Sequence, residues 1–382
     1  MHEFYQFYLP TKIVFEVGIA KDFSSELQAL GVNRYFIITD SFLHKSGMLD
    51  PIIHGISANG FEVVGIFDQV PPNSEVKVVE ACAKAANAQH AEGIIAIGGG
   101  SVLDTAKAAN ILFTLGGSLV DDYSGAQTIT SILNPFVAIP TTSGTGSEVT
   151  SAAVIYDEAT SRKLSFTDDH LYPRLAILDP ELTLGMPAKL TAMTGMDALT
   201  HAVEAITSVQ KNAMSDALAK KAIVLIKENL EAAICDGKNL EARSAMVIAS
   251  NLAGIAFDHA MVGVVHAMAH ATGGIAHVPH GLANSILLPY GMEYNLHVVE
   301  DEYASLANLF GKASAASAIE EIFKLRKKVS EAAGIPMRLR DAGVKEEQLE
   351  TIAQVAVEDG ASFYNPREVE LAGVLEKIKA AF

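Results

Sequence analysis

Short apolar runs alternate with amphipathic segments along the first half of the chain, and this alternation restricts the fold. Runs rich in Ile, Val and Phe that are separated by segments of helical spacing are typical of a parallel sheet with helices on both faces. Strands are expected at residues 34–39, 62–67, 93–97, 136–139 and 175–178. Helices are expected at residues 41–59, 75–89 and 102–112.

The second half of the chain has a different pattern. After about residue 184 the sequence is rich in Ala and Leu, with acids and lysines at helical spacing and almost no strand-like alternation. Helices are expected at residues 190–209, 216–233, 240–257, 303–309, 317–333 and 345–359. The chain has 382 residues, which suggests two domains at roughly 100–200 residues each. We therefore predict an α/β domain at residues 1–184 and an all-α domain at residues 185–382.

The composition excludes several classes of partner. With 28 basic and 45 acidic side chains the formal net charge is −17, which argues against binding to nucleic acid or to an anionic membrane. The two cysteines, Cys82 and Cys235, are too few for a disulfide framework or a thiolate zinc cluster, so a reduced, cytoplasmic protein is expected. Residues 259–292 carry no Asp, Glu, Lys or Arg, but their glycines, prolines and five histidines indicate a buried functional segment rather than a membrane span.

Three consecutive glycines follow the expected strand at residues 93–97. In the segment Gly98-Gly99-Gly100-Ser101, backbone N–H groups could approach a pyrophosphate, and the helix that follows would add positive potential. An ordinary strand-to-helix turn is the alternative interpretation. Asp40 ends an earlier strand and precedes the glycines by 58 positions, whereas the acid of the usual Rossmann motif follows them by about 20 residues. Asp40 is therefore either a helix N-cap or the ribose ligand of a differently connected dinucleotide domain.

A loop of small and hydroxyl-bearing residues, PTTSGTGSE at 140–148, follows the expected strand at 136–139. Ligands of open α/β sheets bind beyond the carboxyl ends of the strands. The loop is therefore a candidate binding segment, and a flexible surface connection is the alternative.

Histidines and one acid recur at one-turn spacing in the second half of the chain. Spacings of four residues would place such side chains on one face of a helix. Burying several imidazoles and a carboxylate in apolar sequence without a metal would leave many polar atoms to pair, although a single histidine is more often a core residue. The pattern predicts a metal site drawn from Asp197, His201, His266, His270, His277 and His280.

The donor types restrict the metal. Carboxylate and imidazole ligands suit Fe(II), Zn(II), Co(II) or Ni(II). One carboxylate and three neutral imidazoles would leave a divalent ion with a net charge of about +1, which is a Lewis acid able to polarise a carbonyl or hold an alkoxide.

Five segments of the sequence resemble motifs of one family. GGGSVLDTAK, IPTTSGTGSEVT, GMDALTHAVE, VVHAMAHATGG and PHGLANSILLPYGMEYN are similar to segments of the iron-containing (group III) alcohol dehydrogenases, which include lactaldehyde reductases and 1,3-propanediol dehydrogenases. The resemblance runs nearly from end to end. It implies a dehydroquinate synthase-like fold with an N-terminal α/β dinucleotide-binding domain, an all-α C-terminal domain and a cleft between them.

The resemblance also implies roles for individual residues. The metal ligands would be Asp197, His201, His266 and His280. His270 would lie near substrate and nicotinamide without binding the metal, and Phe257 would form a wall of the substrate pocket. The cofactor site would comprise Asp40 at the adenosine ribose, Gly98, Gly99, Gly100 and Ser101 at the pyrophosphate, and Thr141, Thr142 and Lys163. Asp258-His259 departs from the sequences of many members and Ile139-Pro140 from those of some, and neither pair includes a proposed metal ligand.

The activity that the resemblance implies is reversible hydride transfer between NAD(H) and a small primary alcohol or aldehyde, with Fe²⁺ as the metal and Zn²⁺ as an alternative. Water or His270 would relay the proton. A carboxylate at Asp40 would repel a 2′-phosphate, so NADH is expected over NADPH. The alternatives are a glycerol dehydrogenase-like enzyme, a dehydroquinate synthase-like lyase and a non-catalytic metal or nucleotide sensor. A homodimer or larger homo-oligomer is expected from the family.

Overall fold

The structure is a computed structural model that describes residues 4–160 and 162–382. The chain forms two compact units. The first comprises Tyr8–Thr142 and Gly146–Thr183, and the second comprises Ser143–Thr145, Leu184–Phe382 and the described N-terminal residues up to Phe7.

The first unit is built around a parallel sheet. Its strands are β1 (Lys12–Phe15), β2 (Arg34–Ile38), β3 (Glu62–Phe67), β4 (Gly93–Gly98), β5 (Gly125–Ala126), β6 (Phe136–Pro140), β7 (Ala152–Asp157), β8 (Arg162–Thr167) and β9 (Leu175–Leu178). The main sheet has six strands in the order β1-β9-β6-β4-β2-β3, and every neighbouring pair is parallel. A smaller sheet has the order β5-β8-β7. Strands β4, β6 and β9 are entirely buried, as continuous apolar runs in a sheet covered on both faces require.

Helices cover both faces of the main sheet. They are α1 (Ser24–Gln28), α2 (Ser41–Lys45), α3 (Asp50–Ala58), α4 (Val76–Ala88), α5 (Gly100–Leu115) and α6 (Leu119–Tyr123). Along β2, Phe36 and Ile38 pack with α4 and α5, whereas Tyr35 and Ile37 pack with α1 and α3 on the opposite face. The single helix expected at 41–59 is wrong, because Gly47 adopts a φ of 77° between α2 and α3, which ends α2.

The second unit is helical. Its helices are α7 (Ala188–Thr207), α8 (Ala213–Cys235), α9 (Leu240–Ala260), α10 (Val264–Ala276), α11 (His280–Asn295), α12 (Glu300–Leu309), α13 (Ala315–Ala333), α14 (Leu349–Glu358) and α15 (Leu371–Ala381). Residues 184–382, which are all described, contain no strand. The predicted fold class, an α/β part followed by an all-α part, is thereby confirmed.

The apolar segment at residues 259–292 forms the end of α9, all of α10 and most of α11. Among the described residues, no single helix is long and apolar enough to cross a membrane. Helices α9 and α10 meet that test only when taken together, and they are bent by 103° relative to each other. The corner is tight, since Met261 has a φ of 65° and donates its N–H to the carbonyl of Phe257 at 2.6 Å.

Candidate metal and dinucleotide sites

The carboxyl ends of three neighbouring strands bring the predicted cofactor segments to one edge of the main sheet. Asp40 follows β2, Gly99 follows β4, and Thr141 follows β6, and these strands are adjacent in the order β6-β4-β2. The N–H of Thr141 donates to the carbonyl of Gly98 at 3.0 Å. The topology therefore collects these segments where open α/β sheets bind their ligands.

The glycine turn is required by close packing rather than by an unusual φ. Gly99 is the N-cap of α5, and no side chain caps this helix end. A Cβ at Gly98 would lie 2.6 Å from Cβ of Val102, and one at Gly99 would lie 3.2 Å from Cγ2 of Thr142. The turn thus leaves N–H groups at the start of a 16-residue helix without a side chain over them, an arrangement suited to an anion.

Asp40 caps α2. Its Oδ1 accepts the N–H groups of Phe42 and Leu43, both at 2.9 Å, so the N-cap interpretation is confirmed. Burial raises the pKa of Asp104 on α5, and the charge of Lys163, which lies on β8 of the smaller sheet, is one of the smaller effects that oppose this shift. The ribose role of Asp40 and the cofactor role of Lys163 stay predictions.

The hydroxyl-rich loop at 140–148 is not a flexible surface connection, because most of its residues are buried. Two residues of α5 form hydrogen bonds with the end of this loop and with the residues that follow it. Asp104 accepts a hydrogen bond from Oγ of Ser147 at 2.7 Å, and Nζ of the buried Lys107 donates to the carbonyl of Thr150 at 2.7 Å. Asp104 and Lys107 lie within the GGGSVLDTAK motif, and the sequence reasoning assigned neither a role.

The helical unit brings the predicted metal ligands together. Asp197 and His201 lie one turn apart on α7, His266 lies on α10, and α11 begins at His280. One ligand atom each from Asp197, His201 and His266 lies within 4.8 Å of the others, and all three residues are buried. Nε2 of His280 lies 3.4 Å from Oδ1 of Asp197. Asp197, His201 and His266 therefore converge on one centre, with Nε2 of His280 beside Asp197, and the role of these four residues as metal ligands stays a prediction.

Burial sets the charge of the cluster. Desolvation lowers the pKa of His201 and lowers that of His266 well below the ordinary value, so both imidazoles are neutral at neutral pH. Burial would raise the pKa of Asp197, but the neighbouring imidazoles and Asn284 outweigh it and hold that pKa below the ordinary value. Asp197 therefore stays ionised beside the two neutral imidazoles of His201 and His266.

Glu204, which lies on α7 two turns after Asp197, orients the ring of His266. Its Oε2 lies 2.6 Å from Nδ1 of His266. Its carboxylate also accepts the N–H groups of Gly263 at 2.9 Å, Val265 at 2.7 Å and His266 at 3.3 Å, which are at the start of α10. A histidine bonded through one ring nitrogen to a carboxylate, with the other nitrogen facing a metal centre, is a common feature of metal sites. Burial raises the pKa of Glu204 to about 7, although these three N–H groups oppose the shift.

Two further side chains, Phe257 and His270, stack on histidines of the cluster. The ring of Phe257 stacks on His201 with a centroid distance of 4.2 Å. The ring of His270 stacks on His280 at 5.3 Å, and its Nδ1 lies 3.1 Å from Oδ2 of Asp359. His277, by contrast, is exposed at the C-terminal end of α10, so the histidines flanking Pro279 do not act as a pair.

Sequence reasoning missed Glu204, Asn284 and Asp359. Glu204 lies within the quoted GMDALTHAVE motif, seven positions after Asp197, so the helical period could have placed it on the same face. Asn284 is four residues after His280 and could have been found in the same way. Asp359 contacts His270 across 89 residues, and no local pattern signals it.

The cluster fits a divalent cation. None of the hydrogen bonds and ion pairs of Asp197 in the described part of the chain involves a lysine or an arginine. The buried carboxylate, beside the neutral imidazoles of His201 and His266, thus has no lysine or arginine as counter-charge, and a metal ion would supply one. Carboxylate and imidazole donors without thiolates suit iron or zinc. The fold and the site are those of a protein with a candidate mononuclear metal centre in a helical unit and a glycine-rich turn suited to an anion in an α/β unit.

Comparisons with known proteins give the family. Residues 10–180 match the model of the iron-containing alcohol dehydrogenases, and residues 191–382 match that of the C-terminal part of the Fe-containing alcohol dehydrogenase family. The chain is 36% identical over 379 residues to the NAD-dependent methanol dehydrogenase of Bacillus methanolicus, covering 98% of this chain and 99% of that one. It is 39% identical over 359 residues to the 1,3-propanediol dehydrogenase of Klebsiella pneumoniae, covering 92% of each.

Among solved structures, a 1,3-propanediol oxidoreductase superposes over 100% of both chains with a TM-score of 0.95 at 39% identity. The chain therefore belongs to the iron-containing alcohol dehydrogenase family.

Proposed function

We propose that the protein transfers hydride reversibly between NAD(H) and a small primary alcohol or aldehyde at an iron site. The observation that carries the proposal is the convergence of Asp197, His201 and His266, with Nε2 of His280 beside them, in a chain of this family. These four residues would hold Fe²⁺, with Zn²⁺ as an alternative. A bound divalent ion supplies Lewis acidity to the oxygen of the substrate.

The chain's own residues manage the proton. His270 has its Nδ1 bonded to Asp359, so Nε2 is the nitrogen that can exchange a proton with substrate or with water. Asp359 fixes the orientation of that ring, and the hydrogen bond from His270 helps to hold the pKa of Asp359 below its ordinary value against the effect of burial. We assign His270 as the proton-relaying residue.

The nicotinamide cofactor supplies the hydride. Gly98, Gly99, Gly100 and Ser101 would receive the pyrophosphate at the start of α5, and Thr141, Thr142 and Lys163 would complete the site. Asp40 uses Oδ1 for its cap, so Oδ2 can accept a ribose hydroxyl. A 2′-phosphate would meet this carboxylate unfavourably, so we propose a preference for NADH.

The substrate is proposed to be small and uncharged. Phe257 forms an apolar wall against His201, and the relatives at 36% and 39% identity are named for methanol and 1,3-propanediol. The fourth candidate ligand, His280, favours the alcohol dehydrogenase over the glycerol dehydrogenase arrangement.

The experiment that tests the proposal is metal replacement. The protein is stripped with a chelator and reloaded anaerobically with Fe(II) or Zn(II), and NADH consumption is followed with propanal, lactaldehyde and 3-hydroxypropanal. Turnover restored by Fe(II) in the wild type and lost in His266→Ala is expected. Full turnover by the chelated protein, or by the variant after chelation, would contradict the metal role.

Assembly and location are separate proposals. We expect a homodimer or larger homo-oligomer from the family. The two free cysteines favour a reducing compartment, and we therefore propose the cytoplasm. Light scattering at several protein concentrations measures the assembly directly.

A further inference from the structure

Two side chains from different parts of the helical unit accept the free N–H groups at the start of α10. The first four N–H groups of a helix have no acceptor within the helix itself. Glu204 accepts three of them, as described above. The fourth belongs to Val264 and donates to Oδ1 of Asn365 at 3.1 Å, and it has no other acceptor in the described part of the chain. The turn that carries His266 is therefore held by two side chains.

These two side chains meet at Gly263, the N-cap residue of α10. No side-chain hydrogen bond of its own caps this helix end. A Cβ at Gly263 would lie 2.9 Å from Oδ1 of Asn365 and 3.1 Å from Oε1 of Glu204. Glycine thus lets both acceptors come close to the backbone. Asn365 and Glu204 together do what the side chain of an ordinary N-cap residue does.

Backbone partners fix the orientation of the Asn365 amide. Its Oδ1 accepts from the N–H of Val264, which can only donate, and its Nδ2 donates to the carbonyl of Arg367 at 2.7 Å, which can only accept. Asn295, the last residue of α11, pairs with the same amide through two hydrogen bonds of 2.8 Å. Both asparagines are buried, and both polar atoms of the Asn365 side chain have partners. The geometry of the bond to Val264 is therefore well defined.

The segment that supplies Asn365 contacts α10 at a second point. Asp359, six residues earlier in the chain, lies 3.1 Å from Nδ1 of His270, one turn after His266. The segment thus holds α10 both at its first residue and at the residue to which we assign the proton relay. The hydrogen bonds of Asn365 involve only two backbone groups and Asn295, so they take no atom that a metal ion would use.

We propose that Asn365 is a positioning residue for the metal ligand His266, acting through the backbone at the start of α10. The inference rests on the ligand set proposed above. Without the amide, the N–H of the buried Val264 would have no acceptor, and this cost would favour a shift of the first turn of α10. His266 lies in that turn. Removing a residue that contacts a metal ligand directly typically costs about 10–100-fold in metal affinity, so we expect about tenfold for one that acts through the backbone.

The test is a titration of the metal-free protein with Co(II), followed through the visible absorption of the bound ion. Asn365→Ala removes the amide, and Asn365→Leu removes it while keeping the approximate volume. Both variants are expected to bind Co(II) about tenfold more weakly than wild type, with altered absorption bands, because the donor geometry changes. A residue that served stability alone would lower the unfolding temperature and leave those bands unchanged.

Asn295→Ala is the matched control. It breaks the same pair of buried amide bonds but leaves the bond between Asn365 and Val264 in place. This variant should unfold at a lower temperature than wild type and bind Co(II) with wild-type affinity and absorption.

Three results would overturn the inference. The first is wild-type affinity and absorption in both Asn365 variants. The second is equal weakening in Asn295→Ala, because the effect would then follow the buried pair and not the bond to Val264. The third is failure of both Asn365 variants to fold while Asn295→Ala folds, because Asn365 would then serve the core. Absence of stoichiometric Co(II) binding by wild type would instead contradict the proposed function.

Discussion

Gly281 allows the two helices that carry Asp197 and His280 to approach closely. A Cβ on Gly281 would lie 2.4 Å from the carbonyl oxygen of Met193 and 2.8 Å from its carbonyl carbon. Ordinary contacts begin at 3.4 Å, so in Gly281→Ala the start of α11 must move away from α7 by about 1 Å. Because the obstacle is backbone, a side-chain rotation cannot absorb the clash.

The displacement acts directly on the metal site. His280 is next to Gly281, and Asp197 lies one turn after Met193 on α7. Metal–ligand distances tolerate only about 0.2 Å, so a shift of about 1 Å should weaken metal binding by at least about tenfold. The overpacking should also lower the free energy of unfolding of the metal-free protein by about 1–3 kcal/mol. Co(II) titration and thermal unfolding measure the two effects.

Gly274→Ala is the control for this experiment. Gly274 lies in α10, and a Cβ there would meet no heavy atom within 4 Å. Alanine in a helix interior should raise stability by about 0.5–1 kcal/mol and leave metal affinity unchanged. If Gly281→Ala keeps both the wild-type unfolding temperature and the wild-type Co(II) affinity, the close approach of α7 and α11 does not position the ligands.

Three further predictions concern other parts of the molecule. Glu204→Gln replaces a carboxylate that accepts four hydrogen bonds by an amide with one acceptor oxygen. The free energy of unfolding should fall by about 1–3 kcal/mol and metal affinity by about 10–100-fold. Denaturant unfolding and Co(II) titration measure these effects, and unchanged values would refute the role of Glu204. Asp40→Asn keeps a good N-cap but removes the charge, so stability should hold while the ratio of kcat/KM for NADH over NADPH falls; an unchanged ratio would show that Asp40 does not face the ribose. His277→Gly should raise the unfolding free energy by about 0.5–1 kcal/mol, because His277 is exposed and has a φ of 56° at the end of α10; a lower unfolding temperature would contradict this.

The strands of the main sheet could largely be predicted, because continuous burial leaves an uninterrupted apolar run in the sequence. Strand β9 was predicted to the residue, and β2 to within one residue. Strand β1 and the β7–β8 hairpin were missed because they are partly exposed, so polar residues interrupt their apolar pattern. Helices α10 and α11 were not delimited, since Gly273, Gly274 and Pro289 lie within them and usually mark helix ends.

Local sequence patterns could predict part of the candidate site, whereas the rest depends on contacts between residues that are distant in the chain. The pair Asp197 and His201 follows from helical spacing alone, whereas the choice of His266 and His280 from among the other histidines depended on the family resemblance. The contacts that orient these ligands join residues far apart in the chain. Glu204 and His266 are 62 positions apart, and Asp197 and Asn284 are 87 apart. Such contacts exist only once the helices have packed, so no local pattern contains them.

The bonds from Glu204 to the start of α10 have a consequence for the life of the protein in a cell. His266 reaches its place only after α7 and α10, which are separated in the chain by two other elements, have docked. An emerging or partly folded polypeptide therefore offers isolated histidines rather than a finished binding centre. A divalent ion would therefore be held tightly only after these helices have docked, so that metal binding and the folding of this unit would be coupled.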